Sequence, residues 1–146
     1  MGFAEILQQI KATLEADADL TAYALQKWEK KPTVKVTYRN REEIASADLP
    51  VIMITRPSVR RSRETFGDIK RVNRVRLYAG FYQPDSSRRQ AELIETEELI
   101  LSALEKDTDL LAMIDSMTPA DSANDEGSLG ECCFTVQDIE IEEKPT

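Results

Sequence analysis

The motif Leu-Glu-x-Asp-x-Asp-Leu occurs twice, from Leu14 to Leu20 and from Leu104 to Leu110. Each copy closes a stretch with helical apolar spacing, and each is followed by sequence of β type. The chain is thereby constrained to an order of helix, strands, helix, strand. Phe3, Ile6, Leu7, Ile10 and Leu14 form the stripe of the first amphipathic helix. Carboxylates at a helix C-terminus oppose the macrodipole, so Asp17 or Asp19 is expected to cap a second short helix holding Leu20, Tyr23, Ala24 and Trp28. Asp107 and Asp109 break and recap the later helix in the same way. Its stripe is Leu93, Ile94, Ile100, Leu101, Leu104 and Leu111, and Ser87 with Gln90 fits a capping box at its start. A calcium loop would need a third acidic ligand, a Gly at its sixth position and a Glu at its twelfth, and neither motif copy supplies them.

The β-type segments differ in pattern. Val34, Val36 and Tyr38 alternate with Lys35, Thr37 and Arg39, as in a half-buried strand. Val51-Ile52-Met53-Ile54 is an unbroken apolar run between Pro50 and Pro57, the mark of a strand covered on both faces. Residues 58–68 are polar and basic and predict an extended hairpin loop. Residues 70–83 predict a long strand with Val75, Leu77, Ala79 and Phe81 on one face and Arg74, Arg76, Tyr78 and Tyr82 on the other. Its length exceeds that of an ordinary strand, so part is expected to project from the body. Residues 118–130 predict a flexible loop. Phe134 and Val136 alternate in one phase and Ile139 and Ile141 in the other, which predicts a β-bulge near Gln137 and Asp138. Residues 142–146 predict a frayed tail.

These elements define an α+β class in one domain, 1–146: an antiparallel or mixed sheet of about four strands with two main helices on one face. The order is α-β-β-β-α-β, with a long basic hairpin between the second and third strands. A chain of 146 residues is long enough to bury one real core.

The net charge of −8 conceals an asymmetry. Between residues 56 and 76 stand eight bases, Arg56, Arg60, Arg61, Arg63, Lys70, Arg71, Arg74 and Arg76, against Glu64 and Asp68. From Glu105 onward, twelve acids face Lys106 and Lys144. Opposite patches on one small domain suit head-to-tail contact between copies, the geometry that closes rings. Arginine also contacts phosphate well, and Phe66 and Tyr78 could stack on bases, so nucleic acid is the alternative partner for the same segment. The acidic whole and the lack of a nucleic-acid motif weigh against it.

Catalysis has little to stand on. The chain contains no histidine, its five glycines are too scattered for a phosphate loop, and no GxSxG elbow occurs. Cys132 and Cys133 are adjacent, so a bridge between them would be strained, and both are expected as reduced thiols in a cytosolic protein. Two cysteines without histidine do not make a zinc site. No leader peptide is expected, because Glu5 and Gln8 interrupt any apolar start, and no apolar run reaches the ~20 residues of a membrane span.

The ordered set resembles the tail terminator (tail completion) family of long-tailed bacteriophages and prophages. The likeness covers nearly the whole chain. It rests on helix 3–14 closed by the first motif copy, Leu49-Pro50 before the apolar strand, the long strand 70–83, helix 91–104 closed by the second copy, and the final strand 132–141. The resemblance implies a structural role without catalysis, cofactor or metal. It implies self-association into a hexameric ring that caps the tail tube, ends tube polymerisation and presents a surface to the head-completion or connector protein. DNA would pass through the lumen without specific binding. The expected location is the host cytoplasm during assembly and then the head-proximal end of the virion tail, with no membrane contact. The interface assignment to the eight bases rests on electrostatics, not on the resemblance.

Overall fold

The computed structural model describes residues 2–63, 67–128 and 130–145. Helices α1 (Phe3–Ala16), α2 (Ala18–Trp28), α3 (Arg89–Lys106) and α4 (Thr108–Met113) lie with strands β1 (Thr33–Lys35), β2 (Val51–Arg63), β3 (Ile69–Tyr82), β4 (Ile114–Asn124) and β5 (Cys132–Glu143). The strand order is β1-β2-β3-β5-β4. β1 runs parallel to β2 and the other neighbours are antiparallel. This is the expected α+β class with a mixed sheet.

The repeated motif turns out to be a helix corner. Asp17 has an extended backbone, and its carboxylate accepts the Leu20 N–H at 2.9 Å. Asp107 likewise accepts from the N–H groups of Asp109 and Leu110, at 2.8 and 3.4 Å. Each acid ends one helix and caps the next, using donors that would otherwise lack partners. Leu14, Leu20, Leu104 and Leu110 are all at most 2% exposed, so each corner drives two leucines into the same core. The two corners also touch. Lys106 Nζ lies 3.0 Å from both Asp17 and Asp19, and the Thr13 hydroxyl donates to the Asp107 carboxylate. The Thr13 bond, with help from the two backbone N–H groups, holds the Asp107 carboxyl below its usual range against the opposing effect of burial.

The main core lies between these helices and one face of the sheet. Ile52, Ile54, Val75, Leu77, Ala79, Ile139 and Ile141 supply the sheet side, and Ile6, Ile10 and Ile100 help supply the helix side. On the opposite face, Leu49, Val51 and Met53 form a smaller cluster with Ile44, Tyr78 and Phe134. The Phe134 ring covers Gly80, its register partner on β3; a Cβ there would come within 2.4 Å of the ring. Arg41 pins this cluster, its guanidinium 4.7 Å from the Phe134 ring centre and 2.8 Å from Asp125.

Several expectations are corrected. The described residues form five strands, because β4 occupies much of the stretch 118–130 expected as a loop. An edge strand pairs on one side only, so β4 tolerates Ser, Asp and Pro119 and shows no apolar alternation. The stretch 142–146 is not all frayed, since Glu142 pairs with Val72 and β5 reaches Glu143. The expected bulge near Gln137 is absent from the β3–β5 ladder, whose register runs unbroken. Thr135 and Gln137 simply occupy core-side positions as polar residues, bonded to Glu97 of α3. The register shifts fall on β2, between Thr55 and Ser58, and on β4. β1 ends at Lys35, short of Val36 and Tyr38. Asp85, not a Ser87–Gln90 box, caps the turn before α3 by accepting the Ser87 N–H at 3.0 Å. Each motif splits its helix, so the order is α-α-β-β-β-α-α-β-β. Ile94 and Leu111 are exposed rather than core.

Replacing Asp107 with Ala should cost about 1 kcal/mol at neutral pH, the usual loss for a helix cap. Because the folded carboxyl is depressed, its contribution is present above the ordinary carboxylate range and fades as pH falls through its folded value. Urea unfolding of Asp107→Ala should therefore lie below wild type at neutral pH, with the gap narrowing in acid. Equal neutral midpoints would contradict the corner assignment.

Candidate functional site

The eight bases at 56–76 fall on the β2–β3 hairpin, which is a paired ribbon rather than a loop. Register continues from Ser58↔Arg74 to Arg63↔Ile69. Glu64, Thr65 and Phe66 lie outside the described residues, so the stacking suggested for Phe66 has no structural account. The shift between Thr55 and Ser58 inserts an extra residue at Arg56-Pro57, and Pro57 is tolerated there because a bulge leaves an N–H unpaired. The shift also reverses which side chains face the helices. Before it, Ile52 and Ile54 do. After it, Val59 pairs with fully buried Asn73, so Arg61, Arg63, Ile69 and Arg71 share that side. Arg60, Lys70 and Arg74 point to the other.

The structure divides the eight into two groups. Arg74 Nε and Arg76 Nε each lie 2.8 Å from Asp138, which is only 6% exposed between them. Arg74 also reaches Asp121 at 2.9 Å and Glu140 at 3.9 Å, and Lys70 lies 3.7 Å from Glu142. The hydrogen bond from Arg76 to Asp138, and then its interaction with Tyr78, raises its already high pKa despite burial. Arg56 donates to Asn73 at 3.1 Å and sits 5.5 Å from the Phe3 ring centre. These four bases are therefore engaged within the chain. Arg60, Arg61, Arg63 and Arg71 form no ion pair with any described residue. Arg61 stands directly opposite Arg71, and like charges opposite one another repel. An acidic partner would relieve that repulsion.

The acidic C-terminal third is likewise partly neutralised. Asp121, Asp138, Glu140 and Glu142 face bases of β3 across the sheet, a pairing that segment-by-segment charge counting cannot see. A different stripe was missed. Ile94, Glu98, Leu101 and Glu105 of α3 follow a four-three-four spacing along one outer side of the helix. Glu98 and Glu105 are exposed and have no cationic partner among the described residues. The helical spacing alone was enough to find it.

Other polar groups have structural partners. Buried Glu92 accepts from Trp28 at 2.9 Å, Gln83 at 2.9 and 3.0 Å and Arg88 at 3.0 Å. Trp28 stacks on Phe81 at 4.5 Å, closing the edge of the core as its position suggests. Burial pushes the Cys133 thiol up to about 11, away from nucleophilic thiolate chemistry. Beside β1, a hollow of about 220 Å³ is lined by Lys30, Lys31, Lys35 and Arg39. Two of these are tied down, Lys30 to the Ala47 carbonyl and Arg39 to the Glu43 carbonyl. No group of His, Cys, Asp or Glu positioned to hold a metal occurs among the described residues.

No protein-family model matches the chain. No curated protein matches it either. Among solved structures, the fold is similar to that of a chain described as "Virion of native gene transfer agent (GTA) particle". The TM-score is 0.59 at 10% identity, covering 96% of each chain. At that identity the likeness establishes a shared fold.

Asp138→Ala should destabilise the protein by roughly 1–3 kcal/mol, because two guanidiniums lose a buried acceptor. Asp121, 91% exposed in its side chain, should cost under about 0.5 kcal/mol on the same change. Denaturant midpoints compare the two directly; equal effects would contradict Asp138 as the anchor.

Proposed function

We propose that this chain is a structural subunit of a phage-like particle, and that it acts as a tail terminator. In this reading copies assemble as a ring on the head-proximal end of the tail tube, stop its growth and offer the surface to which the head connector joins. The observation that carries it is the fold likeness, over nearly the whole of both chains, to a chain from a gene transfer agent virion. The ordered sequence elements that resemble tail terminators support it independently. The ribbon adds a physical reason. Arg60, Arg61, Arg63 and Arg71, without an ion pair among the described residues, form a preorganised surface on a paired β-scaffold for an acidic protein partner.

The same four arginines favour a second reading, a nucleic-acid-associated protein that binds through the ribbon. Retention of DNA that weakens steeply with salt would support that reading.

Two measurements separate them. In a phage or lysogen lacking this gene, negative-stain microscopy should show headless tails of overlong or irregular length. Normal tails joined to heads would reject the terminator role. Reversal of Arg60, Arg61 and Arg63 to Glu should reproduce the deletion phenotype while leaving the unfolding free energy in urea within about 0.5 kcal/mol of wild type, as expected for exposed sites. Normal assembly by the reversed protein would remove the ribbon from the mechanism.

A further inference from the structure

Resting on the ring reading, we infer that the ribbon of one copy lies across α3 of the next copy, against the stripe Ile94, Glu98, Leu101 and Glu105. In the body of the protein, α1 lies over the helix-facing side of β1 and β2, and α3 lies over that of β5 and β4. The coverage ends near Arg56, which sits over Phe3 in the first turn of α1. Beyond that point the same side of the sheet continues as Val59, Arg61, Arg63, Ile69 and Arg71 with no helix on it. β5 also gives out, its last pairing with β3 being Val72↔Glu142. The tip is a two-stranded ribbon whose helix-facing side lacks its helical layer, with Ile69 38% exposed there. Two strands without a covering layer are marginal in water, so a partner that supplies the layer stabilises them.

α3 has the matching surface. Its inner side holds Leu93, Ile100 and Leu104 against the sheet. Its outer stripe alternates apolar and acidic side chains: Ile94 is 42% exposed, while Leu101 is half-buried, packed on its inner side against the core. Seated on a ribbon, Ile94 and Leu101 would meet Val59 and Ile69, while Glu98 and Glu105 would meet Arg61, Arg63 and Arg71. Apolar contacts alternating with opposite-charge contacts along the two surfaces give both adhesion and register. Both surfaces are on every copy but are different patches, so the contact is heterologous, the type from which closed rings are built. A second copy is favoured over nucleic acid as the occupant because the side of the ribbon also carries Val59 and Ile69, which have no role on a phosphate backbone.

The test is a cross-link and a charge swap on the full chain, with Cys132 replaced by Ser. Ile69→Cys and Ile94→Cys in the same chain, treated with a bismaleimide at high micromolar concentration and on isolated tails, should give a ladder of covalent oligomers ending at one closed species. Either single-cysteine variant should give no ladder. Arg61→Glu/Arg63→Glu/Arg71→Glu should abolish the ladder, as should Glu98→Arg/Glu105→Arg. Combining the two sets should restore it, an outcome that misfolding or DNA binding would not produce. A monomer band from the double-cysteine variant in both settings, or swapped charges that fail to restore the ladder, would overturn the contact. A ladder with normal tails in the deletion strain would keep the contact and reject the terminator role. Irregular tails in that strain with no ladder would do the reverse.

Discussion

The pairing of β3 along its length, with β2 on one side and β5 on the other, is the interaction on which the rest depends. It aligns the apolar rows of three strands into the floor of the core. It also brings Asp138 between Arg74 and Arg76, and Glu142 beside Lys70, so that charges far apart in sequence cancel across neighbouring strands. Because β2 and β3 outrun β5 and the helices, the same pairing carries a ribbon past the edge of the body. A loop of the same composition would spread its arginines over many conformations. A ladder holds them in fixed rows, and the entropy of ordering them is lost on folding rather than on binding.

The helix layer has its own organising contact. Each Asp of the repeated motif ends one helix and caps the next, and the corners are held together by Lys106 and Thr13. The outcome is a layer of four helices whose leucines converge on one core. This arrangement fixes where α3 runs, and so which of its sides is left facing outward. The stripe of Ile94, Glu98, Leu101 and Glu105 is a consequence of Leu93, Ile100 and Leu104 being committed to the sheet.

Much of this was legible in the sequence, for identifiable reasons. The motif has a local mechanism, capping, so it predicted both corners. The alternation along β3 placed Val75, Leu77, Ala79 and Phe81 correctly because that strand is covered on one side by helices. What could not be read was pairing between distant strands. β4 has the composition of a loop, since an edge strand needs little burial. The bulge at Arg56-Pro57 hides the phase of β2, so residues 58–63 looked like turn sequence. The basic set was found by counting charge, but which of its members are engaged with acids depends on register with β5, which no local pattern carries.

The proposed position of this chain is a ring of copies at the head-proximal end of a tail tube. Electron cryomicroscopy of intact particles tests it most directly. It predicts a ring of this fold between the last tube layer and the connector, with density for residues 58–63 and 69–74 reaching a neighbouring copy. Density for the fold elsewhere in the particle, or particles that lack the chain altogether, would contradict it.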